Sequence, residues 1–170
     1  ELIFENCIVS KKNILGEEGE GFKIAMATLN GGRIGVAAQA IGLAQGALDE
    51  AIKYVKEREV NGKKVSQFQN TQFLLADLQT KIDAARLLIY KAADMKDRGE
   101  EYGYVASMSK FLASEVAMKA TEKAVQLLGG NGYLKKFPVE RMMRDAKVTE
   151  IYEGTSEVQK MIIANWMGIK

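Results

Sequence analysis

From Ile34 onward the apolar residues keep a helical period: Ile34, Ile41, Leu48 and Val55 recur every seven places, and Ala37, Ala44 and Ala51 fill the same face. The pattern predicts a first long helix beginning near Phe22. Gly35, Gly42 and Gly46 lie within it, although each glycine costs a helix about 1 kcal/mol against alanine. Their presence predicts that another helix or a ligand comes close. Arg58 to Lys64 breaks the period, with Asn61-Gly62 as the turn signal. A second helix is predicted from Ser66 to Lys96 on the stripe Thr71, Leu74, Leu75, Leu78, Ile82, Ala85 and Ile89. A polar loop follows from Asp97 to Gly103. A third helix, Tyr104 to Leu128, turns Val105, Met108, Leu112, Val116, Ala120 and Leu127 inward and stops at Gly129-Gly130-Asn131-Gly132. Pro138 suits the first position of a short helix reaching Lys147. Val148 to Thr155 connects it to a last helix, Ser156 to Met167, with Ser156 and Gln159 at the spacing of a capping box.

Ahead of the helices, Leu2 to Leu15 alternates and holds Ile3, Ile8 and Val9, which predicts a strand or extended segment. Gly16, Gly19 and Gly21 then punctuate the chain. Connections this short favour antiparallel neighbours. The expected fold is all-α: an up-and-down four-helix bundle with a short extended N-terminal segment and a final C-terminal helix.

Composition narrows the chemistry. A chain of 170 residues that is 47% apolar can bury one core, and a net charge of +2 calls for neither nucleic acid nor an anionic membrane. No apolar run is long enough to span a bilayer. The basic pairs Lys11-Lys12, Lys63-Lys64 and Lys135-Lys136 read as solvated surface. Cys7 is the only cysteine, which excludes an internal disulfide and fits a reducing cytoplasm. The chain opens on Glu1 and runs directly into Leu2-Ile3-Phe4, as expected of a cut within a longer protein. Histidine is absent altogether. That removes serine or cysteine hydrolase triads, histidine zinc sites and di-iron bundles, and no metal site is expected. Proton chemistry falls to a carboxylate, lysine, tyrosine or the one cysteine.

Glu150-Ile151-Tyr152-Glu153-Gly154-Thr155-Ser156 is the most unusual stretch. A carboxylate beside glycine can be approached closely by a ligand, the next helix offers unpaired N–H groups, and Ile151 and Tyr152 could desolvate the acid. An acid beside a helix N-terminus is also favourable without any catalysis. Gly129 to Gly132 could present N–H groups to an anion or simply end a helix. Arg58 suits a phosphate or a helix C-terminus equally. Arg141, Arg144 and Lys147 share one helical face, more often a solvated stripe than a site.

Five segments resemble, in order and spacing, the acyl-CoA dehydrogenase family: IYEGTSEVQ (Ile151 to Gln159), QLLGGNGY (Gln126 to Tyr133), RDAK (Arg144 to Lys147), GRIGVA (Gly32 to Ala37) and FQNTQFLLAD (Phe68 to Asp77). The resemblance covers essentially the whole chain and is to the family's C-terminal helical domain. It implies an enzyme that desaturates an acyl-CoA thioester, with short-chain members the nearest likeness. It implies Glu153 as the base that takes the α-proton, and substrate contact at Asn30, Arg33 and Gly154. Some relatives carry the base beside the first-helix arginine, where this chain has Gly32. FAD is implied at Arg58, Gln69, Gln126, Gly129, Gly130, Thr155 and Glu157, part of that set reaching the cofactor of a neighbouring subunit. A homotetramer and an electron-transfer flavoprotein partner follow from the same likeness. Residues 1–18 resemble the end of a preceding β-domain, with 19–170 forming the helical domain. Asn61 and Lys64 stand where many relatives have Phe and Pro, Asn30 where Asp is frequent, and Lys160 where Arg is common. The isolated chain is expected to bind FAD weakly and turn nothing over. An oxidase variant, a silent paralogue and a non-catalytic oligomerisation module are the alternatives.

Overall fold

The computed structural model describes residues 1–169. Five helices make up almost all of its regular structure: α1 Gly21–Glu57, α2 Gln69–Asp97, α3 Gly103–Leu128, α4 Val139–Thr149 and α5 Ser156–Trp166. The all-α reading holds. At 37 residues α1 is about 55 Å long and forms the spine of the molecule. The chain runs up and down: Gln45 meets Gln79 across α1 and α2, Ser109 meets Leu88 across α3 and α2, and Gly46 faces Met142 of α4. The last helix, α5, packs on α3.

The predicted inner faces of α1 and α2 are largely the observed ones, whereas on α3 only Val105, Val116 and Ala120 of the expected six are buried, Met108, Leu112 and Leu127 are half-buried, and the buried face turns to Ala106, Lys110, Ala113, Ala117, Ala124 and Leu128. Ile41, Leu48, Val55, Leu78, Ile82, Ile89 and Val116 are buried among Ala37, Ala40, Ala44, Ala113, Ala117 and Ala120. The most extensive helix pairing is α1 on α3, where methyl groups on both sides let the backbones approach. Alanine, not glycine, builds that seam. A Cβ on Gly35 or Gly42 would meet nothing within 4 Å, and one on Gly46 would only touch Met142 at 3.4 Å. The close helix approach expected at Gly35 and Gly42 is therefore absent among the described residues.

Element ends differ from expectation in ways that local chemistry explains. Asn61 and Gly62 take φ of 50° and 76° between β1 (Glu59–Val60) and β2 (Lys63–Lys64), which makes a two-residue hairpin rather than a loop. A 3-10 turn over Val65–Gln67 then delays α2 to Gln69 instead of Ser66. Pro138 lies one place ahead of α4, and its carbonyl already accepts from the Met142 N–H at 3.0 Å. At α5 the cap is Thr155, whose hydroxyl accepts from the Val158 N–H, and not Ser156. The Ser156–Gln159 capping box does not form, because Gln159 is turned into the core. Leu2 to Leu15 is no strand: it is exposed, holds one 3-10 turn at Lys11–Asn13, and no described strand lies beside it to supply hydrogen bonds.

Candidate active site

The connector between α4 and α5 is a tight, over-determined turn. Ile151 and Tyr152 both donate from their N–H groups to the Val148 carbonyl, and the Ser156 N–H closes the loop on Glu150 O at 3.1 Å. Between these bonds Glu153 and Gly154 take φ of 56° and 90°. For a residue with a side chain that conformation costs about 1–3 kcal/mol and persists only where neighbours enforce it. Two buried side chains do so. Lys110 of α3 donates from Nζ to the Gly154 carbonyl at 2.7 Å. Gln159 of α5 donates from Nε2 to the Glu153 carbonyl at 3.1 Å and to that of Gly154 at 2.9 Å. Glycine is required at 154 on two counts, since a Cβ there would also lie 2.8 Å from Gln159 Nε2.

The turn aims the Glu153 carboxylate at α1. A Cβ on Gly32 would stand 2.6 Å from Glu153 Oε2 and 3.1 Å from Oε1. Glycine at 32 is thus the space the carboxylate occupies. Oε2 is buried and has no hydrogen-bond partner. Next to it Arg33 is only 6% exposed, donates from one terminal nitrogen to Asn30 Oδ1 at 2.7 Å, and leaves Nε unpartnered. Burial lowers the Arg33 pKa from its ordinary value, and the Glu153 charge opposes that shift. Burial likewise lowers the pKa of Lys110, which is shielded completely from solvent, with Glu150 as the largest opposing influence. Ile151, expected to desolvate the acid, is 54% exposed. The packing around the carboxylate comes from α1, and Tyr152 instead ties the turn down through its hydroxyl to Gln39. Glu153, Gly154, Asn30 and Arg33 are therefore brought together at one place.

The expected cofactor residues are divided. Arg58, Gly129 and Gly130 line a groove of about 450 Å³ with Tyr54, Val65 and Asn131. Gly129 has φ 59° and ψ −135°, open only to glycine, and a Cβ on Gly129 or Gly130 would meet nothing within 4 Å. No carboxylate lines this groove, so an anionic group such as a diphosphate fits beside Arg58. Thr155 and Glu157 lie elsewhere, at a cavity of about 250 Å³ that also holds Glu115, Glu150, Lys147 and Lys160. Three acids against two lysines suit a neutral polar edge, not a phosphate. The Glu157 carboxylate is held low by its own backbone N–H, then by the Thr155 hydroxyl, so it already occupies part of the α5 N-terminus. Gln69 and Gln126 are exposed at the start of α2 and the last turn of α3 and line neither cavity.

Lys110 and the true role of Gln159 escaped the sequence reading. A signal existed: Lys110 falls on the Ala106, Ala113, Ala117 face of α3, and a lone charge on an apolar stripe requires a partner. Among the described residues no group of histidine, cysteine or acidic side chains could hold a metal, and no helix is long and apolar enough to cross a membrane.

Residues 19–168 match the family model for the acyl-CoA dehydrogenase C-terminal domain. A short-chain-specific acyl-CoA dehydrogenase of Clostridium acetobutylicum is 56% identical over 96% of this chain, which spans 43% of that relative. The solved butyryl-CoA dehydrogenase of Megasphaera elsdenii superposes with a TM-score of 0.92 at 53% identity, over 94% of this chain and 42% of that one. A chain from a structure concerned with the electron transferring flavoprotein of Acidaminococcus fermentans superposes at 0.95 with 56% identity, over 97% of this chain and 43% of that one. The sequence accordingly spans less than half the length of the relatives it matches. The chain belongs to the acyl-CoA dehydrogenase family, of which it carries the C-terminal helical domain.

Proposed function

We propose that this domain supplies the base and part of the cofactor site of an enzyme that desaturates a short acyl-CoA thioester between its α and β carbons. One observation carries the reading: a buried carboxylate oxygen of Glu153, without a hydrogen-bond partner, held on a strained turn beside Gly32 and Arg33. A carboxylate of this kind accepts a proton from carbon efficiently, because no water competes for it. Glu153 takes the α-proton, and Gly154, lacking a side chain, lets the thioester come alongside. Arg33 and Asn30 form the polar wall on the α1 side. FAD, when bound, would supply the hydride acceptor for the β-hydrogen. Arg58, Gly129 and Gly130 would hold its diphosphate, while Thr155 and Glu157 would meet a less charged part of the molecule. Gln69 and Gln126 complete the set from exposed positions.

Because one chain separates these groups, the reading includes an assembly in which neighbouring copies share cofactors, as a homotetramer would. Exposed Phe73, Leu87 and Tyr90 on α2 supply apolar surface for such contacts. An electron-transfer flavoprotein is the proposed acceptor, supported by the Acidaminococcus likeness, and the short acyl chain is supported by the clostridial and Megasphaera relatives. The exposed single thiol Cys7 suits a cytoplasmic setting. Residues 1–18 belong, in this reading, to the end of a preceding β-domain.

The test uses the full-length protein loaded with FAD and mixed with butyryl-CoA without oxygen. Bleaching of the flavin in the native protein, lost in Glu153→Gln, supports the activity and the base together. FAD bound but unbleached across short and long acyl chains would replace this reading with a silent paralogue or an assembly module.

A further inference from the structure

The strained turn that carries Glu153 is held by a buried cation that the reaction itself does not use. Lys110 is the largest of the completely buried side chains and spends its ammonium on one acceptor, the Gly154 carbonyl at 2.7 Å. Gln159, also completely buried, grips the same carbonyl and that of Glu153, and its own Oε1 has no partner. The two side chains come from different helices, α3 and α5, and meet only at this turn.

A clamp built only for stability would be built otherwise. Putting an ammonium out of water is costly, and an apolar side chain of similar size at 110 would fill the same space without that cost. The Gly154 carbonyl would still be satisfied by Gln159. What Lys110 adds is direction. Gln159 holds the Glu153 carbonyl, and Lys110 together with Gln159 holds the Gly154 carbonyl, so the two peptide groups that follow Glu153 each have one orientation, with φ at Glu153 at 56°. The backbone so held aims the carboxylate at the space over Gly32.

We propose that Lys110 and Gln159 are positioning residues for the base, locking the Glu153–Gly154 turn so that the carboxylate is fixed over Gly32. This rests on Glu153 being the base. Both side chains are completely buried and bond only to the backbone of the turn.

The measurement is exchange of the α-hydrogen of a saturated acyl-CoA into deuterated water, followed by mass spectrometry on the full-length holoenzyme. Thioester binding and the thermal midpoint are measured in parallel. Lys110→Met is expected to slow exchange by about tenfold to a hundredfold, as a misplaced catalytic group does. Thioester affinity should hold and the midpoint should stay level or rise. Gln159→Met should slow exchange likewise, which keeps the test open should the lysine variant fail to fold. Exchange at the native rate in both variants, with Glu153→Gln silent, overturns the clamp and leaves the base in place. Loss of exchange in step with a lower midpoint and weaker thioester binding also overturns it, as general structural support. Exchange that survives Glu153→Gln removes the base assignment, and the clamp with it.

Discussion

Gly32 and Glu153 occupy one volume between them, and their relation is testable with a single methyl group. Alanine at 32 would place its Cβ 2.6 Å from Glu153 Oε2. The far end of a flexible side chain can yield, and alanine favours the helix by about 1 kcal/mol. Gly32→Ala should therefore match or exceed the native thermal midpoint while turnover falls about tenfold or more, since the carboxylate leaves its place. A drop in stability without loss of turnover would contradict the geometry. Lys110 gives a second signature. Burial lowers its folded pKa from the ordinary 10.5, so the unfolded chain binds this proton more readily than the folded one. The cost of holding the charge is present in full below the lowered value and disappears as pH rises through it toward 10.5. Any stability that Lys110→Met gains at neutral pH should shrink as pH rises through that window, as read by urea unfolding at successive pH values.

At the scale of elements, two glycines of the α3 stop separate architecture from binding. Gly132 is buried, and a Cβ there would lie 2.5 Å from the Val125 carbonyl oxygen and 3.0 Å from Leu128 Cβ. Backbone cannot yield as a side chain can, so Gly132→Ala should cost about 1–3 kcal/mol, as overpacking does, measured by denaturant unfolding. Gly130 meets nothing within 4 Å. Gly130→Ala should leave stability nearly untouched and weaken FAD binding in the full-length protein, measured by flavin titration.

The same elements mark what the sequence could and could not disclose. Inner faces of α1 and α2 were legible because burial writes a 3.6-residue period into a long helix, while on α3 the larger residues Met108, Leu112 and Leu127 masked the small-residue face that is buried. The Asn61-Gly62 turn was legible too, since left-handed backbone favours that pair. The capping signal lies one residue away from the true cap, because Gln159 has the right spacing to cap and is drawn inward by two carbonyls that only the folded turn exposes. The acid at 153 stood out, but its burial against Gly32 and the reach of Lys110 depend on contacts over 121 and 44 positions of chain. No local pattern encodes those. Leu2 to Leu15 carries a strand-like alternation, yet pairing decides a strand and no described neighbour offers it.

For the whole molecule, the division of the proposed cofactor residues between two cavities sets an expectation for the isolated chain. Arg58 and the Gly129-Gly130 edge can attract an anion, but Thr155 and Glu157 cannot reach the same one from their own cavity. Titrated alone, the chain should bind FAD weakly and turn over nothing, and tight stoichiometric yellow flavin on it would show otherwise. The alanine seam between α1 and α3 has a different consequence, one for how such a sequence can drift. Larger residues at Ala37, Ala44, Ala117 or Ala120 would push the helices apart at about 1–3 kcal/mol each. Glycine at the same places would cost about 1 kcal/mol each. Variation is closed off in both directions, so descendants of this chain are free to change their outer faces while the alanines that join the two most extensively paired helices stay put.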